Sequence, residues 1–373
     1  MVASEMRLPW DLVEEILSWV PLKSLIRFRT VCKRWKALFE EKRFTKNQLA
    51  RASRPQFILF IAESMIYSVD VILDGCPSIE IKLLKLPLDT TACILSMDLV
   101  VNCCDGLLLC SVPSNRLEVC NPWLKQASPR IKTFEKTYFN GIGYDNSRSD
   151  SDCYKILASS FTTEKTWITE FGSNAWKLHQ FASENWWLMS DYSVSLNGTL
   201  YWIGCNSKCR EFFITSFDFS TEKFKRYFCA LPCKSAEGLD SRSLEVFRRD
   251  RFSYLHQCIE TKDIEIWVTK KKIDNKDGES VEWMMFMNVS VPYTSKLRDM
   301  CFRCQRSYFI DEKSLSLALC CEDYNGNICI YIAKGKMSKK IKIKGVDRHH
   351  CLHRTYFPSL VQVPSYQREV EEI

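Results

Sequence analysis

The chain has 373 residues, enough for about two folding units at roughly 100–200 residues each. Apolar residues make up 46% and charged residues 26%, close to globular averages, which excludes a wholly disordered or fibrous chain. The longest uninterrupted apolar runs, 57–62 and 328–333, fall far short of the ~18 residues a spanning helix needs, so no membrane segment is expected.

The first ten residues contain Glu5, Arg7 and Pro9 and lack the apolar stretch of a secretory signal. An intracellular, reducing compartment follows as the expectation, cytoplasm or nucleus, with the 19 cysteines kept as thiols that pack like small hydrophobes. The net charge is +7, and residues 1–50 carry ten Lys and Arg against six Asp and Glu. More than half of the excess therefore lies on one small unit, unlike the chain-wide basicity of a nucleic-acid coat.

Residues 8–39 follow helical spacing. Leu12, Val13, Ile16, Leu17 and Val20 form one stripe, and Leu25, Phe28, Val31, Cys32, Trp35, Leu38 and Phe39 recur every three to four residues. Pro9 suits the first turn of a helix and Pro21 ends or restarts one. The spacing predicts three helices, roughly 9–19, 22–30 and 32–41, with a looser helical tail through Ala52. In this window 18 of 32 residues are apolar. A unit of ~40 residues buries too little surface to fold alone, so the surplus either packs on the rest of the chain or docks a partner's helices.

After Arg54-Pro55 the period changes to two. Strand pairs are predicted at 57–61/66–71, 107–110/117–121, 154–160/167–171, 199–204/213–219, 252–257/264–269 and 315–321/328–333. Six glycines directly follow Asn or Asp, at Asp74-Gly75, Asp105-Gly106, Asn140-Gly141, Asn197-Gly198, Asp277-Gly278 and Asn325-Gly326, pairs that tolerate the positive φ of tight hairpin turns. The pairs recur about every 50 residues, the spacing of four-stranded propeller blades. Six units, with an apolar strand at 360–363 returning to complete the first, predict a six-bladed ring.

Laid out this way, the chain resembles a known family. Leu8-Pro9-Trp10-Asp11-Leu12-Val13-Glu14-Glu15-Ile16-Leu17, then Pro21-Leu22-Lys23-Ser24-Leu25 and Val31-Cys32-Lys33-Arg34-Trp35, resemble a plant F-box; Trp19 and Val20 depart from its usual pattern. Cys104-Asp105-Gly106-Leu107-Leu108, Asn121-Pro122-Trp123, Gly143-Tyr144-Asp145, Leu196-Asn197-Gly198 and Ser216-Phe217-Asp218-Phe219 resemble the type 1 F-box-associated, kelch-like domain. The resemblance implies a mainly β protein with a small α N-terminal domain: a three-helix F-box at 1–50 and a six-bladed propeller at 51–373. It implies a substrate receptor of a Skp-cullin-F-box (cullin-RING) ubiquitin ligase, without catalysis or cofactor, that presents a target protein. A non-degradative binding scaffold is the rival. The residues it points to for the Skp-type adaptor are Leu8, Pro9, Leu12, Ile16, Leu17, Pro21, Leu22, Leu25, Phe28, Val31, Cys32 and Trp35, some of which must instead form the small helical core.

Other chemistry is weighed against this. Cys301-x-x-Cys304 with Cys320-Cys321 is the best zinc candidate, yet strand neighbours point to opposite faces and cannot easily share an ion. His349-His350-Cys351-x-His353 reads as an exposed polar loop. Lys340, Lys342 and Lys344 alternate with Ile341 and Ile343, as on an outer strand with a solvated face. Trp186-Trp187 reads as core or blade interface. A propeller enzyme would need acidic or His residues clustered at one rim, and the five histidines are scattered in sequence.

Overall fold

A computed structural model of the chain describes residues 8–363 except 53, 62–64, 74, 85–100, 113–115, 134–136, 148–153, 161–164, 174, 181–185, 189–192, 207–210, 233–239, 259, 262, 276, 291–305, 324, 336 and 348–350. Four helices come first: α1 (Trp10–Ser18), α2 (Leu22–Phe28), α3 (Lys33–Glu40) and α4 (Lys42–Ala52). Pro9 and Pro21 immediately precede α1 and α2 with φ near −55°, the value their rings impose. The thiol of Cys32 accepts the Trp35 N–H at 3.4 Å and caps α3. The predicted loose tail is a full fourth helix, tied to α1 by Arg43–Glu14 at 2.7 Å and Arg51–Glu15 at 2.6 Å.

Six antiparallel sheets follow. Blade 1 runs outward as Cys351–Tyr356, Gln56–Ile61, Met65–Ile72 and Ser78–Leu84. Blade 2 has Val101–Cys104, Leu107–Val112, Arg116–Asn121 and the short Gln126–Ala127; blade 3 has Thr137–Tyr144, Tyr154–Ser160, Lys165–Glu170 and Lys177–Gln180. Blade 4 places Val194–Leu196 inside Thr199–Asn206, Phe212–Asp218 and Lys223–Ala230, with Trp186–Leu188 also paired to its second strand. Blade 5 has Ser241–Phe247, Arg251–Gln257, Asp263–Thr269 and Trp283–Ser290; blade 6 has Ser307–Asp311, Ser316–Glu322, Asn327–Lys334 and Met337–Asp347. All six predicted pairs are the second and third strands of a blade, in antiparallel register.

Each of the six seams between blades holds its own buried apolar cluster. Leu107 and Leu109 meet Ile156 and Ala158 of blade 3, while their neighbours Leu108 and Cys110 meet Ile58 and Tyr356 of blade 1. The same alternation sends Cys320 to the seam with blade 1 and Cys321 to the seam with blade 5, on opposite faces of one strand. Seams 3/4 and 4/5 are filled by Leu157, Trp202 and Phe217, and by Tyr201, Phe228 and Phe252. With both faces covered, the middle strands read as near-continuous apolar runs. Full burial of each such side chain contributes about 1.5–3 kcal/mol before entropy is counted.

Several expectations change. The closing strand is Cys351–Tyr356, paired with Gln56–Ile61, and not 360–363. His353 therefore lies in a strand, with its ring against the Ser307 hydroxyl at 3.0 Å, and not in an exposed loop. Residues 360–363 are apolar because Leu360 enters the helical core and Val361 the seam of blades 2 and 3. Asn140-Gly141 lies inside Thr137–Tyr144 at a bulge, and Gly278 keeps negative φ, so neither pair makes a hairpin turn. Lys340 and Lys342 do lie on an outer strand, with Lys340 paired to Asp323 at 2.8 Å. Cys301, Cys304, His349 and His350 fall outside the described residues, as do the side chains of Trp186 and Trp187.

His353 carries a testable consequence. Burial, reinforced by the Arg354 charge, pushes its imidazole down to about 4, so the ring is neutral in the fold. Its contribution to stability is present above the unfolded value near 6.5 and is lost as pH falls toward 4. Acidification over that window should cost on the order of 1–3 kcal/mol, discounted for the ring's partial exposure. His353→Gln should shrink the fall in melting temperature between pH 6.5 and 4; an unchanged fall would remove His353 as its cause.

Candidate functional site

The helical unit has two apolar faces. Inward, Leu17, Leu22, Leu25, Leu38, Phe39 and Phe44 pack with Leu360, Trp123 and Leu124 of the propeller. Outward, Leu8, Leu12, Ile16, Trp19 and Val31 are each 50–62% exposed. Leu8, Leu12 and Ile16 succeed one another at i, i+4 spacing on α1 and its approach, and Trp19 follows one turn on. Pro9, Pro21 and Cys32 are also exposed; Phe28 and Trp35 are half-buried, with ring centroids 5.4 Å apart. Of the twelve residues picked from sequence, Leu17, Leu22 and Leu25 thus belong to the core. Trp19 was missed because it departs from the family pattern; its spacing from Ile16 and Leu12 was the available signal. Its indole lies near Arg51, 5.3 Å above the ring, and donates to Glu15 at 3.4 Å.

The inward face is fastened to one end of the ring. In a four-stranded meander, turns after the first and third strands lie on one face of the propeller, and those after the second and fourth on the other. Contacts from the helices reach the first of these, the proximal face: Lys23 to Asp70 at 2.7 Å, Lys23 to the Trp123 ring at 5.8 Å, Lys46 to the Tyr144 ring at 5.6 Å. A strap formed by residues 359–363 crosses this junction. Asn121 donates to the Ser359 and Val361 carbonyls at 3.1 and 2.8 Å, while its Oδ1 accepts the Trp123 and Leu124 amides. A Cβ on Gly106 would lie 2.3 Å from the Ser359 hydroxyl, so only glycine lets the strap pass.

Near the axis, the innermost strands of blades 1, 2, 4 and 5 enclose a cavity of about 90 Å³ that reaches the proximal face. Arg249, Arg354, Glu245, Asp105, Ser195 and Asn197 are among its lining residues. Thr355 donates to Glu245 at 3.0 Å, and burial pushes the Glu245 carboxyl up to about 8 against the opposing pull of Thr355 and Arg354. On the opposite, distal rim of blade 5, His256 lies 3.0 Å from Asp240 and 3.7 Å from Glu265, with Arg242 3.8 Å from Asp240. His256 and Asp240 are both buried, and the Glu265 side chain is 31% exposed. Among the described residues no group of three or more His, Cys, Asp or Glu is placed to hold a metal.

The geometry is that of a small helical unit with an exposed apolar face, joined to the proximal end of a closed six-bladed propeller. Residues 6–47 match the F-box domain, and residues 57–363 match the F-box associated beta propeller domain. In Arabidopsis thaliana, Jacalin-related lectin 38 is 50% identical over 98% of this chain and 70% of its own length. An F-box protein of the same plant is 40% identical, covering 98% of this chain and 100% of that one, and Protein SUPPRESSOR OF NIM1 1 is 38% identical, covering 97% and 100%. The chain belongs to the plant F-box proteins that carry an F-box-associated β-propeller.

Proposed function

We propose that this chain is the substrate-recognition subunit of a Skp-cullin-F-box ubiquitin ligase, with residues 1–50 docking the adaptor and residues 51–373 holding a target. The observation that carries this is the outward stripe of Leu8, Leu12, Ile16, Trp19 and Val31, left exposed on a unit whose own core is already filled. Exposed apolar side chains gathered on one small unit mark an interaction surface. Pro9, Pro21 and Cys32 border the stripe, Phe28 and Trp35 stiffen it, and Leu17, Leu22 and Leu25 support it from within. The protein makes and breaks no bond in this reading. It raises the effective concentration of a target lysine near a ubiquitin-loaded enzyme.

The distal face is the surface we assign to the target. It faces away from the helices, and the described strand ends Leu84, Val101, Ser290 and Ser307 lie on it. Loops at the end of a rigid scaffold are where binding specificity resides. Affinity capture with and without proteasome inhibition tests the whole reading: a bound protein that accumulates only under inhibition, and only when the adaptor is present, supports it. Binding without turnover would favour the scaffold.

Cysteine labelling gives an independent check. Eight of the twelve described cysteines are buried, and burial raises the thiols of Cys103, Cys229 and Cys321 to about 12, while Cys32 and Cys76 are exposed. Among these twelve, a hydrophilic alkylating reagent should modify Cys32 and Cys76 first. Saturating adaptor should protect Cys32, beside the stripe, and leave Cys76 on blade 1 reactive. Equal labelling of Cys32 in both states would move the interface elsewhere.

A further inference from the structure

We propose that the cavity near the axis, where it reaches the proximal face, binds a small oxyanion, a carboxylate or a phosphate-like group, held by the guanidinium groups of Arg249 and Arg354. Three tight hairpins join innermost to second strands here, and all three hold two consecutive residues at positive φ. Blade 2 uses Asp105-Gly106 at 48° and 80°, blade 4 uses Asn197-Gly198 at 51° and 77°, and blade 5 uses Arg248-Arg249 at 52° and 67°. Asn, Asp and Gly tolerate this region at little cost; arginine does not. Backbone strain held in place by its surroundings is a pointer to function.

The surroundings hold both arginines in place. Arg248 Nε donates to Glu312 at 2.7 Å and its Nη2 closes a second bond to the same carboxylate, anchoring the turn to blade 6. Arg249 is thereby turned inward, its guanidinium 4.2 Å from the Phe357 ring centroid and lining the cavity. Arg354, on the closing strand of blade 1, lines the same cavity. Planar guanidinium groups are suited to bidentate recognition of carboxylate and phosphate oxygens. Ser195 and Asn197 are also lining residues, with the Ser195 hydroxyl donating to Cys104 Sγ at 3.1 Å. A volume of about 90 Å³ is smaller than the roughly 150 Å³ that accepts benzene and suits a ligand of a few heavy atoms.

Charge favours the same ligand. Glu245 is faced by the Thr355 hydroxyl, the Tyr308 backbone amide, the Arg354 charge and the neutral Cys103 thiol, with Arg249 and Asp105 in the same lining. Burial keeps it protonated up to about 8. Below that pH the lining carries two guanidinium groups against the single Asp105 carboxylate; above it, an ionised Glu245 cancels the excess.

The test uses the full chain, melting curves and calorimetric titration with sulfate, whose charge is constant from pH 6.5 to 9, at fixed ionic strength in chloride. Sulfate should bind and raise the melting temperature at pH 6.5, with affinity falling at least tenfold by pH 9. Arg249→Gly, which gives blade 5 the residue-Gly turn of blades 2 and 4, should fold and lose at least tenfold in affinity. Glu245→Gln should keep binding and lose its pH dependence. Parallel titrations with inorganic phosphate and succinate at pH 7.5 distinguish a phosphate-like from a carboxylate ligand by which binds tighter. Sulfate stabilising the unaltered and Arg249→Gly chains equally, or no response to any of the three anions, would overturn the proposal.

Discussion

A chain carrying Leu12→Glu and Ile16→Glu should fail to co-purify with a Skp-type adaptor while melting close to the temperature of the unaltered protein. Both side chains are about half exposed in the free protein, so charge there costs little in folding. In the proposed complex the same charges would be placed against an apolar partner without a counter-ion, at several kcal/mol in order of magnitude. A loss of ~4 kcal/mol already weakens binding by about a thousandfold. Leu17→Glu is the instructive contrast: Leu17 is 4% exposed among Leu25, Leu38 and Phe39, so that change should unfold the helical unit and cannot report on the interface. Undiminished capture by the double variant would sink the assignment of the stripe.

The second large effect concerns the strap. Ending the chain after residue 357 should leave the ring closed, because the closing strand Cys351–Tyr356 remains, yet should free the helices from it. Leu360 is fully buried in the helical core, and Asn121 loses both carbonyl partners. Removal of a buried leucine alone costs about 2–5 kcal/mol. Hydrogen exchange should rise throughout 10–52 while strand amides in the blades stay protected, and melting should split into two transitions. Ending the chain after residue 350 should instead open blade 1, expose a sheet edge and produce aggregation. One unsplit transition at the original temperature in the shorter deletion would show that the strap does not couple the units.

Much of the ring was legible in sequence because second and third strands are buried on both faces and therefore apolar throughout. The innermost strands were not. Val101–Cys104 and Val194–Leu196 are too short to show a period, and Cys351–Tyr356 hides its identity behind His353, whose ring meets Ser307 of blade 6, and Arg354, which lines the cavity near the axis. Conversely, 360–363 looked like a strand because apolar character reports burial and not hydrogen bonding. On α1 both faces are apolar, so periodicity could not separate Leu12 from Leu17; only the position of the propeller decides which face is covered. The short motifs carrying the family resemblance were informative in a way their sequence does not reveal. Gly143 and Gly198 meet at the seam of blades 3 and 4, where Tyr144 N–H donates to the Gly198 carbonyl at 3.1 Å, and Gly106 and Asn121 grip the strap.

The strap also imposes a timetable on synthesis. A ribosome adding ~5–20 residues per second delivers the helices early and residues 351–361 about 300 residues later, an interval on the order of 15–60 s. Throughout it the nascent helical unit lacks Leu360, and the first blade lacks the strand that ends at Tyr356. Both deficits are made good together, by neighbouring residues, after the remaining five blades have been made. A chain released prematurely would therefore carry an unfinished core at one end and an open sheet at the other, two exposed surfaces that the finished fold covers.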